Sequence, residues 1–209
     1  MTTTRLTFVR HGQTEWNTVR RLQGHKDSPL TSLGQEQARL VGERMRLSPP
    51  DVLVSSSLGR AVATAQPVAA ATGLVLRQEP RLREKSYGIF ERMTMGEVES
   101  QLPEEYHAYF NGDDDYVVPQ GEAVSAAYRR VRACIDELIA EHEGKQVAVV
   151  THGGVIVAFL QFTLGLPREE ARSYGWVNGG MNHLEFNPES GWKPVRLGDV
   201  DHLEALAGG

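Results

Sequence analysis

Three apolar runs of this chain are each followed by a cation or an imidazole. The runs cover residues 6–9, 52–54 and 147–150, and the groups that follow them are Arg10 with His11, Arg60, and His152. A charged group at the end of a buried strand is costly unless it has a partner. Guanidinium forks match phosphate oxygens, and an imidazole aimed at phosphorus can be a covalent nucleophile. The pattern predicts a shared site for a phosphorylated ligand.

Strands and helices in alternation must position these groups. The apolar runs are typical of buried strands, and the sequence predicts helices over residues 32–47, 58–71 and 121–143 and a short helix that starts at residues 168–170. A further strand is expected at residues 74–76, and residues 182–186 and 193–197 are expected to form a closing pair of strands around a turn. Thr31 or Ser32 can cap the helix that follows, with Gln35 three residues after Ser32 as in a capping box. The ends of parallel strands share one sheet edge, where α/β sheets bind ligands. We therefore predict an α/β chain with a mostly parallel sheet, in which Gly12 lets a ligand approach closely.

A carboxyl group is also available near this edge. Glu84 lies in a charged loop that follows the third predicted strand. Hydrolysis of a phosphate monoester requires a proton for the leaving alkoxide, which a carboxylic acid at the mouth of the site can supply. Because the uncatalysed reaction is so slow, both a nucleophile and an acid are expected.

Composition excludes several classes of protein. The 209 residues suit one α/β domain with a small insertion, and 40% hydrophobic with 23% charged residues is ordinary for a globular chain. A net charge of -5 argues against nucleic acid or a membrane surface as the partner. Cys134 is the one cysteine, and it lies in an apolar helical pattern as core filler. We see no signal peptide and expect a cytoplasmic protein.

One stretch resembles a membrane span in length. Residues 147–167 contain no Asp, Glu, Lys or Arg. The polar residues 151–154 interrupt it, so that a strand-like half precedes a helix-compatible half. We interpret the stretch as strand, loop and helix.

Five motifs in order along the chain resemble those of the histidine phosphatase superfamily, in the branch that includes cofactor-dependent phosphoglycerate mutase. They are Arg10-His11-Gly12 with Thr14, Trp16 and Asn17; residues 57–61 with Thr64; Leu82-Arg83-Glu84 with Tyr87-Gly88; residues 119–122; and residues 150–154. The resemblance covers nearly the whole chain. It implies a three-layer α/β/α fold of the phosphoglycerate mutase type over residues 1–209, with a cover segment inserted at about 93–120.

The resemblance also implies a role for each matched residue. His11 would carry the phosphoryl group, and Glu84 would act as proton donor and then as base. Arg10, Arg60 and His152 would hold the phosphoryl oxygens and stabilise the transition state. The residues that would bind the phosphate and the substrate are Asn17, Gln23, Gly24 and Gly153. No metal is implied, and His25, His107, His142, His183 and His202 are expected to be solvated or structural.

Two positions depart from the family pattern. Arg92 and Ala123 stand where relatives often carry Gly and Ser, which alters the rim of the site at the first position and removes a hydroxyl at the second. The resemblance also suggests a homodimer, although no interface stripe is visible in the sequence.

The reaction is not decided by the resemblance. From Met93 to Tyr128 there is no Lys or Arg but there are eight acids, namely Glu97, Glu99, Glu104, Glu105, Asp113, Asp114, Asp115 and Glu122. An acidic cover would repel a second phosphate and a carboxylate, which favours a phosphatase over a mutase that uses 2,3-bisphosphoglycerate. Alternatively, these acids face solvent and carry no information on the substrate.

Two further alternatives stay open. The aromatic residues Phe90, Tyr106, Tyr109, Phe110 and Tyr116 form either an apolar wall for a substrate or, as we favour, a small core of the inserted segment. A catalytically weak member would act as a phospho-ligand or protein-binding module, against which the intact set of five catalytic residues argues. The predicted partner is a small phosphate monoester of unspecified identity.

Overall fold

The computed structural model describes residues 2–206 as a sheet flanked by helices. The strands are β1 (Thr4–Arg10), β2 (Val52–Ser56), β3 (Leu76–Glu79), β4 (Gln146–Thr151), β5 (Met181–Asn187) and β6 (Gly191–Asp199). The helices are α1 (Glu15–Thr18), α2 (Ser32–Leu47), α3 (Gly59–Thr72), α4 (Met95–Gln101), α5 (Pro103–Asn111), α6 (Val124–Glu141), α7 (Gly153–Leu164) and α8 (Arg168–Gly175). Short 3₁₀ turns cover Pro80–Leu82, Gly88–Phe90 and Asp201–Leu206.

The six strands form one mixed sheet in the order β3-β2-β4-β1-β5-β6. β1 pairs in parallel with β4, and β2 pairs in parallel with both β3 and β4. β5 runs antiparallel to β1 and to β6, as the two closing strands predict. The predicted α/β architecture is confirmed, and β1, β2 and β4 end at the same edge.

Both faces of the sheet are buried. One core packs Phe8 and Val149 against α6 and α7, and the other packs Val9 and Val150 against α2 and α3. Alternate residues of β1 and β4 therefore face opposite cores, which is why both strands read as continuous apolar runs. Cys134 lies in the first core, as expected for a filler.

Some predicted boundaries are wrong. Val75, placed in the third strand because it is apolar, is 89% exposed, and β3 instead begins at Leu76 and continues through polar residues. β3 is an edge strand, so outward polar side chains cost little there. At α2, Thr31 is confirmed as the N-cap, since its side chain accepts from the Gly34 amide, whereas the alternative capping box of Ser32 and Gln35 does not form.

Residues 93–120 contribute two short helices, α4 and α5, and no strand. Phe90, Val98 and Val118 form a small core that Tyr106 and Tyr116 pack against. Tyr109 also packs against this core, whereas Phe110 is 57% exposed. Most aromatic residues of the segment therefore build its own core, as we favoured, while Tyr109 and Phe110 line the cavity described below.

Within residues 2–206, every helix is too short or too polar to cross a membrane. The stretch 147–167 divides into β4 and α7, as interpreted from its polar interruption. Ala205 and Leu206 belong to the final 3₁₀ turn.

Candidate active site

The loop after β1 is held tightly against its surroundings. The His11 amide donates to the Thr151 carbonyl at 3.0 Å, which joins the ends of β1 and β4. A Cβ on Gly12 would lie 2.3 Å from the Gly34 carbonyl oxygen. Gly12 is thus required by the backbone of α2, and the predicted close approach is made by this helix rather than by a ligand.

The His11 ring has a defined tautomer. Its Nδ1 lies 2.8 Å from the Gly12 carbonyl oxygen, which can only accept, so Nδ1 carries the proton and Nε2 keeps its lone pair. Within residues 2–206, no hydrogen bond engages Nε2. Burial, together with the positive charges of Arg60 and Arg10, holds the pKa of His11 well below its usual range. The ring is therefore neutral at neutral pH and has a lone pair available on Nε2.

Arg10 is fixed at the end of β1 by the loop that follows α8. Its Nη1 donates to the Trp176 carbonyl, and its backbone pairs with Gly179 and Gly180. Burial lowers its pKa to about 10, opposed by the Glu84 carboxylate, so the group stays charged at neutral pH. Its Nε is buried and has no partner among residues 2–206. A buried orphan donor of this kind suits an anionic ligand.

Arg60, in the first turn of α3, is 2% exposed. Its Nη1 donates to the Asp27 carboxylate at 2.7 Å, and its Nη2 donates to the Gly24 carbonyl at 2.9 Å. Asp27 also accepts from the Gly59 amide at 2.6 Å and so offsets the positive end of the helix dipole. Nε of Arg60 has no partner within the described chain.

His152 lies at the end of β4, with its ring centroid 5.3 Å from that of His11. Its Nε2 is 2.7 Å from the Ser56 hydroxyl, whereas its buried Nδ1 is unpaired among residues 2–206. Burial and the charge of Arg60 hold the pKa of His152 well below its usual range. A bound anion would reverse this balance by adding negative charge beside the ring.

Glu84 is 8% exposed and is placed by the backbone. Its two carboxylate oxygens accept from the amides of Gly154 and Lys85, each at 2.9 Å. Its loop is tied down where the Thr151 hydroxyl donates to the Leu82 carbonyl at 2.8 Å. A Cβ on Gly154 would lie 2.4 Å from a Glu84 oxygen, so this glycine makes room for the carboxyl group.

The structure brings the remaining predicted residues to the same edge. Asn17 lies in α1, where its Oδ1 accepts from the amide of the N-cap residue Thr14 in a capping box, and its Nδ2 is unbonded within residues 2–206. Gln23 is 7% exposed. Gly24 adopts φ +53°, and its backbone carbonyl accepts from Arg60. Gly153 begins α7, where a Cβ would lie 3.2 Å from Arg10 Nε. The five histidines without a motif lie outside this group, although His25 Nε2 contacts the Glu84 carbonyl at 2.9 Å.

A cavity of about 300 Å³ adjoins Glu84 and Gly154. Its wall is largely apolar and aromatic, with Tyr109, Phe110, Val124, Tyr128 and Val157 among the lining residues. Lys85, Arg168 and Arg172 also line it. Of the nine predicted site residues, all within the described chain, Glu84 lines the cavity and the other eight do not.

None of the eight acids, all within the described chain, lines this cavity. Glu97 pairs with Arg21 and Glu122 with Arg130. Asp113 and Asp114, however, border an adjoining crevice of about 100 Å³ that shares Lys85, Arg168 and Arg172 with the cavity. Two acids of the segment thus border the same cations, whereas the expected acidic cover does not extend to the larger cavity.

Three supporting residues were missed by the sequence analysis. Asp27 binds Arg60, and Ser56 binds His152. Asn178 donates from Nδ2 to the His11 carbonyl at 2.9 Å and to Asn17 Oδ1 at 3.3 Å. Ser56 borders a quoted motif, but Asp27 and Asn178 carry no signal in the sequence.

The two departures from the family pattern have local explanations. Arg92 adopts φ +72°, a conformation that favours glycine. Ala123 is the N-cap of α6 and has no side-chain oxygen to accept a hydrogen bond from a first-turn amide. The helix therefore lacks the side-chain cap that a serine hydroxyl would supply.

Known proteins resemble this chain in sequence and fold over nearly its whole length. A probable phosphoglycerate mutase GpmB of Yersinia enterocolitica is 36% identical, with 96% of this chain and 95% of the relative covered. Bacillus stearothermophilus YhfR is 29% identical with a TM-score of 0.86 over 96% of this chain and 99% of that one. A mycobacterial glucosyl-3-phosphoglycerate phosphatase is 31% identical with a TM-score of 0.81, over 94% and 99%. The family model of the histidine phosphatase superfamily (branch 1) matches residues 6–200, and the chain belongs to that superfamily.

Proposed function

We propose that this protein is a phosphatase that hydrolyses a small phosphate monoester through a phosphohistidine on His11. The observation that carries the proposal is the state of the His11 ring: Nδ1 is tied to the Gly12 carbonyl, and Nε2 is unbonded within residues 2–206. Arg10 and Arg60 each have a buried Nε that is unpaired within the same described residues.

In the first step, the Nε2 lone pair forms a bond to phosphorus, and the bond between phosphorus and the ester oxygen breaks. Glu84, protonated, gives its proton to the departing alkoxide, so that an alcohol leaves. The guanidinium groups of Arg10 and Arg60 stabilise the charge on the phosphoryl oxygens. His152, whose Nδ1 is buried and unpaired among the described residues, takes a proton from solvent when the phosphate dianion binds, contacts the same oxygens as an imidazolium, and returns the proton to solvent when inorganic phosphate leaves.

In the second step, water attacks the phosphorus of the phosphohistidine. Glu84, now a carboxylate, takes a proton from this water, and the bond between phosphorus and Nε2 breaks. Inorganic phosphate leaves, and His11 returns to its neutral form. Each step needs only groups of this chain and water, so the proposal includes neither a metal nor a cofactor.

The cavity beside Glu84 supports hydrolysis of an ester with a sizeable alcohol. A cavity of about 300 Å³ with an apolar wall exceeds what a three-carbon acid can contact. The leaving oxygen must lie near Glu84, and this residue is at the boundary of the cavity. The alcohol would therefore occupy the cavity while the phosphate faces His11.

Phosphoglycerate mutase is a second candidate, because the Yersinia relative carries that name at 36% identity. It would require 2,3-bisphosphoglycerate to keep His11 phosphorylated. The cations that line the cavity are compatible with a second anionic group on the substrate. The two candidates differ in the fate of the phosphoryl group, which water accepts in one and a hydroxyl of the substrate in the other.

The test is phosphate release from a panel of monoesters, with chelator present, for wild type and His11→Ala. A parallel assay follows interconversion of 3- and 2-phosphoglycerate with and without 2,3-bisphosphoglycerate. Release that disappears in His11→Ala supports the phosphatase. Interconversion without net release supports the mutase, and the absence of both from folded protein favours a binding module.

A further inference from the structure

Lys85 is a buried cation without an anionic partner. It is 6% exposed, and its ammonium forms no hydrogen bond or ion pair within residues 2–206. Nζ instead lies over two aromatic rings, 4.8 Å from the centroid of Tyr87 and 4.9 Å from that of Tyr109. Cation–π contacts hold the ammonium in place but replace only part of its lost hydration.

The carboxylates around Lys85 are engaged or too distant to pair with it. Glu84 accepts from two backbone amides, and Glu122 is paired with Arg130. Asp114 forms no ion pair with Lys85 within 4 Å, although both border the smaller crevice. Burial lowers the pKa of Lys85, which reflects the cost of an unpaired charge in this position.

Two arginines of α8 line the same cavity as Lys85. Arg168 is exposed and forms no hydrogen bond or ion pair with the described chain. Arg172 pairs with Glu169 at 3.0 Å and stacks 5.2 Å from the Trp176 ring. Three cations thus line one largely apolar cavity in which Glu84 is the one lining carboxylate among the described residues, so an anionic group of a ligand would find favourable partners there.

We infer that the cavity selects monoesters whose alcohol has an apolar or aromatic stem that ends in a second anionic group. Lys85, Arg168 and Arg172 bind that group, the aromatic wall contacts the stem, and Glu84 lies next to the scissile oxygen. The inference rests on the proposed function and adds the class of substrate. A carboxylate and a second phosphate share the required chemistry, and substrate pairs distinguish them.

The probe is an aryl phosphate with a propanoate chain para to the ester, compared with its carboxamide. The two compounds share the scissile bond and the phenol, so the ratio of their kcat/KM values isolates the distal charge. We expect wild type to favour the carboxylate by roughly tenfold or more, the size of one charge-assisted hydrogen bond. A phosphonate in place of the carboxylate measures the preference for a second phosphate, and 3-phosphoglycerate shows whether the stem is needed.

The variants are Lys85→Gln and Arg168→Gln, with Arg46→Gln as control. Arg46 is an exposed residue of α2, remote from the cavity lining. In the first two variants, we expect the ratio to fall towards one through a higher KM for the carboxylate, since distal binding is present in both the ground and transition states. Arg168→Gln removes an exposed side chain, so it remains informative if Lys85→Gln is unstable.

The inference would be overturned if the ratio of kcat/KM values for the carboxylate and the carboxamide were near one in wild type, or if it persisted in both variants. In either case, phosphate release from the two esters would leave the proposed function intact. Absence of release from both compounds would count against the proposed function instead. Non-hydrolysable phosphonate analogues of the two esters, titrated by calorimetry, give the ratio of Kd values. This ratio decides the inference even without turnover.

Discussion

Nε2 of His152 lies 2.7 Å from the hydroxyl of Ser56, across the parallel pair of β4 and β2. The contact fixes the ring so that its unpaired Nδ1 remains buried beside His11. The neighbouring Ser55 is equally buried, but its hydroxyl has no partner within residues 2–206. The Ser56 hydroxyl also accepts from the Leu58 amide at 3.3 Å, so the two adjacent serines differ in these two contacts.

This difference predicts unequal effects of the two alanine variants. Ser56→Ala frees the His152 ring and should lower kcat/KM for phosphate release by roughly tenfold to a hundredfold, the range of a charge-assisted hydrogen bond. Ser55→Ala removes an unsatisfied hydroxyl and should leave kcat/KM within about twofold. Equal losses in the two variants would mean that the hydroxyl of Ser56 does not position the ring.

Stability should depend on pH through the buried imidazoles. The pKa values of His11 and His152 are lowered in the folded protein, so the unfolded chain binds more protons below its ordinary histidine pKa of about 6.5. The free energy of unfolding should therefore fall as the pH drops below about 6.5, by up to about 1.4 kcal/mol per pH unit for each imidazole.

Urea denaturation between about pH 5 and pH 7, in a buffer without phosphate, measures this slope. His11→Gln and His152→Gln should each make it shallower, whereas His107→Gln, which replaces an exposed side chain, should not. A slope that His11→Gln leaves as steep as in wild type would show that burial does not keep this ring neutral.

Two glycines in the first turns of helices should respond oppositely to alanine. A Cβ on Gly34 would lie 2.0 Å from the Gln13 carbonyl oxygen, so Gly34→Ala must displace the loop that carries His11. We expect a loss of about 2 kcal/mol or more in the free energy of unfolding, with lower activity. Gly96 in α4 has nothing within 4 Å, and Gly96→Ala should stabilise by up to about 1 kcal/mol. Chemical denaturation of both variants tests the contrast, and a neutral Gly34→Ala would contradict the described packing.

A hydroxyl at position 123 should stabilise the protein. Ala123 caps α6 in an extended conformation that suits an N-cap, with φ -67° and ψ 152°. Ala123→Ser supplies an acceptor for a first-turn amide and should raise the free energy of unfolding by about 1 kcal/mol. Ala123→Gly should give most of that gain, since Gly is also preferred at this position. Thermal unfolding of wild type, Ala123→Ser and Ala123→Gly measures these gains. An Ala123→Ser variant that is no more stable than wild type would contradict the assignment of residue 123 as the N-cap of α6.

The strands and the residues that end them were predictable because local sequence carries the signal. β1 and β4 are buried on both faces, so each reads as an apolar run, and the polar residue that breaks the run marks the sheet edge. Parallel pairing then brings His11 and His152 together. The positions of Arg60 and Glu84 follow from the same sheet edge and from the family motifs.

The support of these residues was not predictable because it comes from distant segments. Asp27 is 33 residues from Arg60 and 38% exposed, and in sequence it resembles any solvated acid of a polar loop. The placement of the acidic side chains of residues 93–128 was not predictable for a related reason, because a count of charges does not say which side chains border a cavity. Lys85 was likewise read as part of a charged loop, whereas tertiary packing encloses it between Tyr87 and Tyr109.

The central claim is that His11 carries the phosphoryl group on Nε2. The most direct test mixes enzyme with an aryl phosphate, stops the reaction in alkali, where phosphohistidine persists, and locates the phosphoryl group by peptide mass spectrometry. The account predicts a phosphorylated peptide that contains His11 in wild type and no such peptide in His11→Asn. The rate of phosphate release by His11→Asn should be lower than that of wild type by a factor on the order of 10⁴ or more. Phosphate release at the wild-type rate by His11→Asn, or a phosphoryl group on another residue, would contradict it.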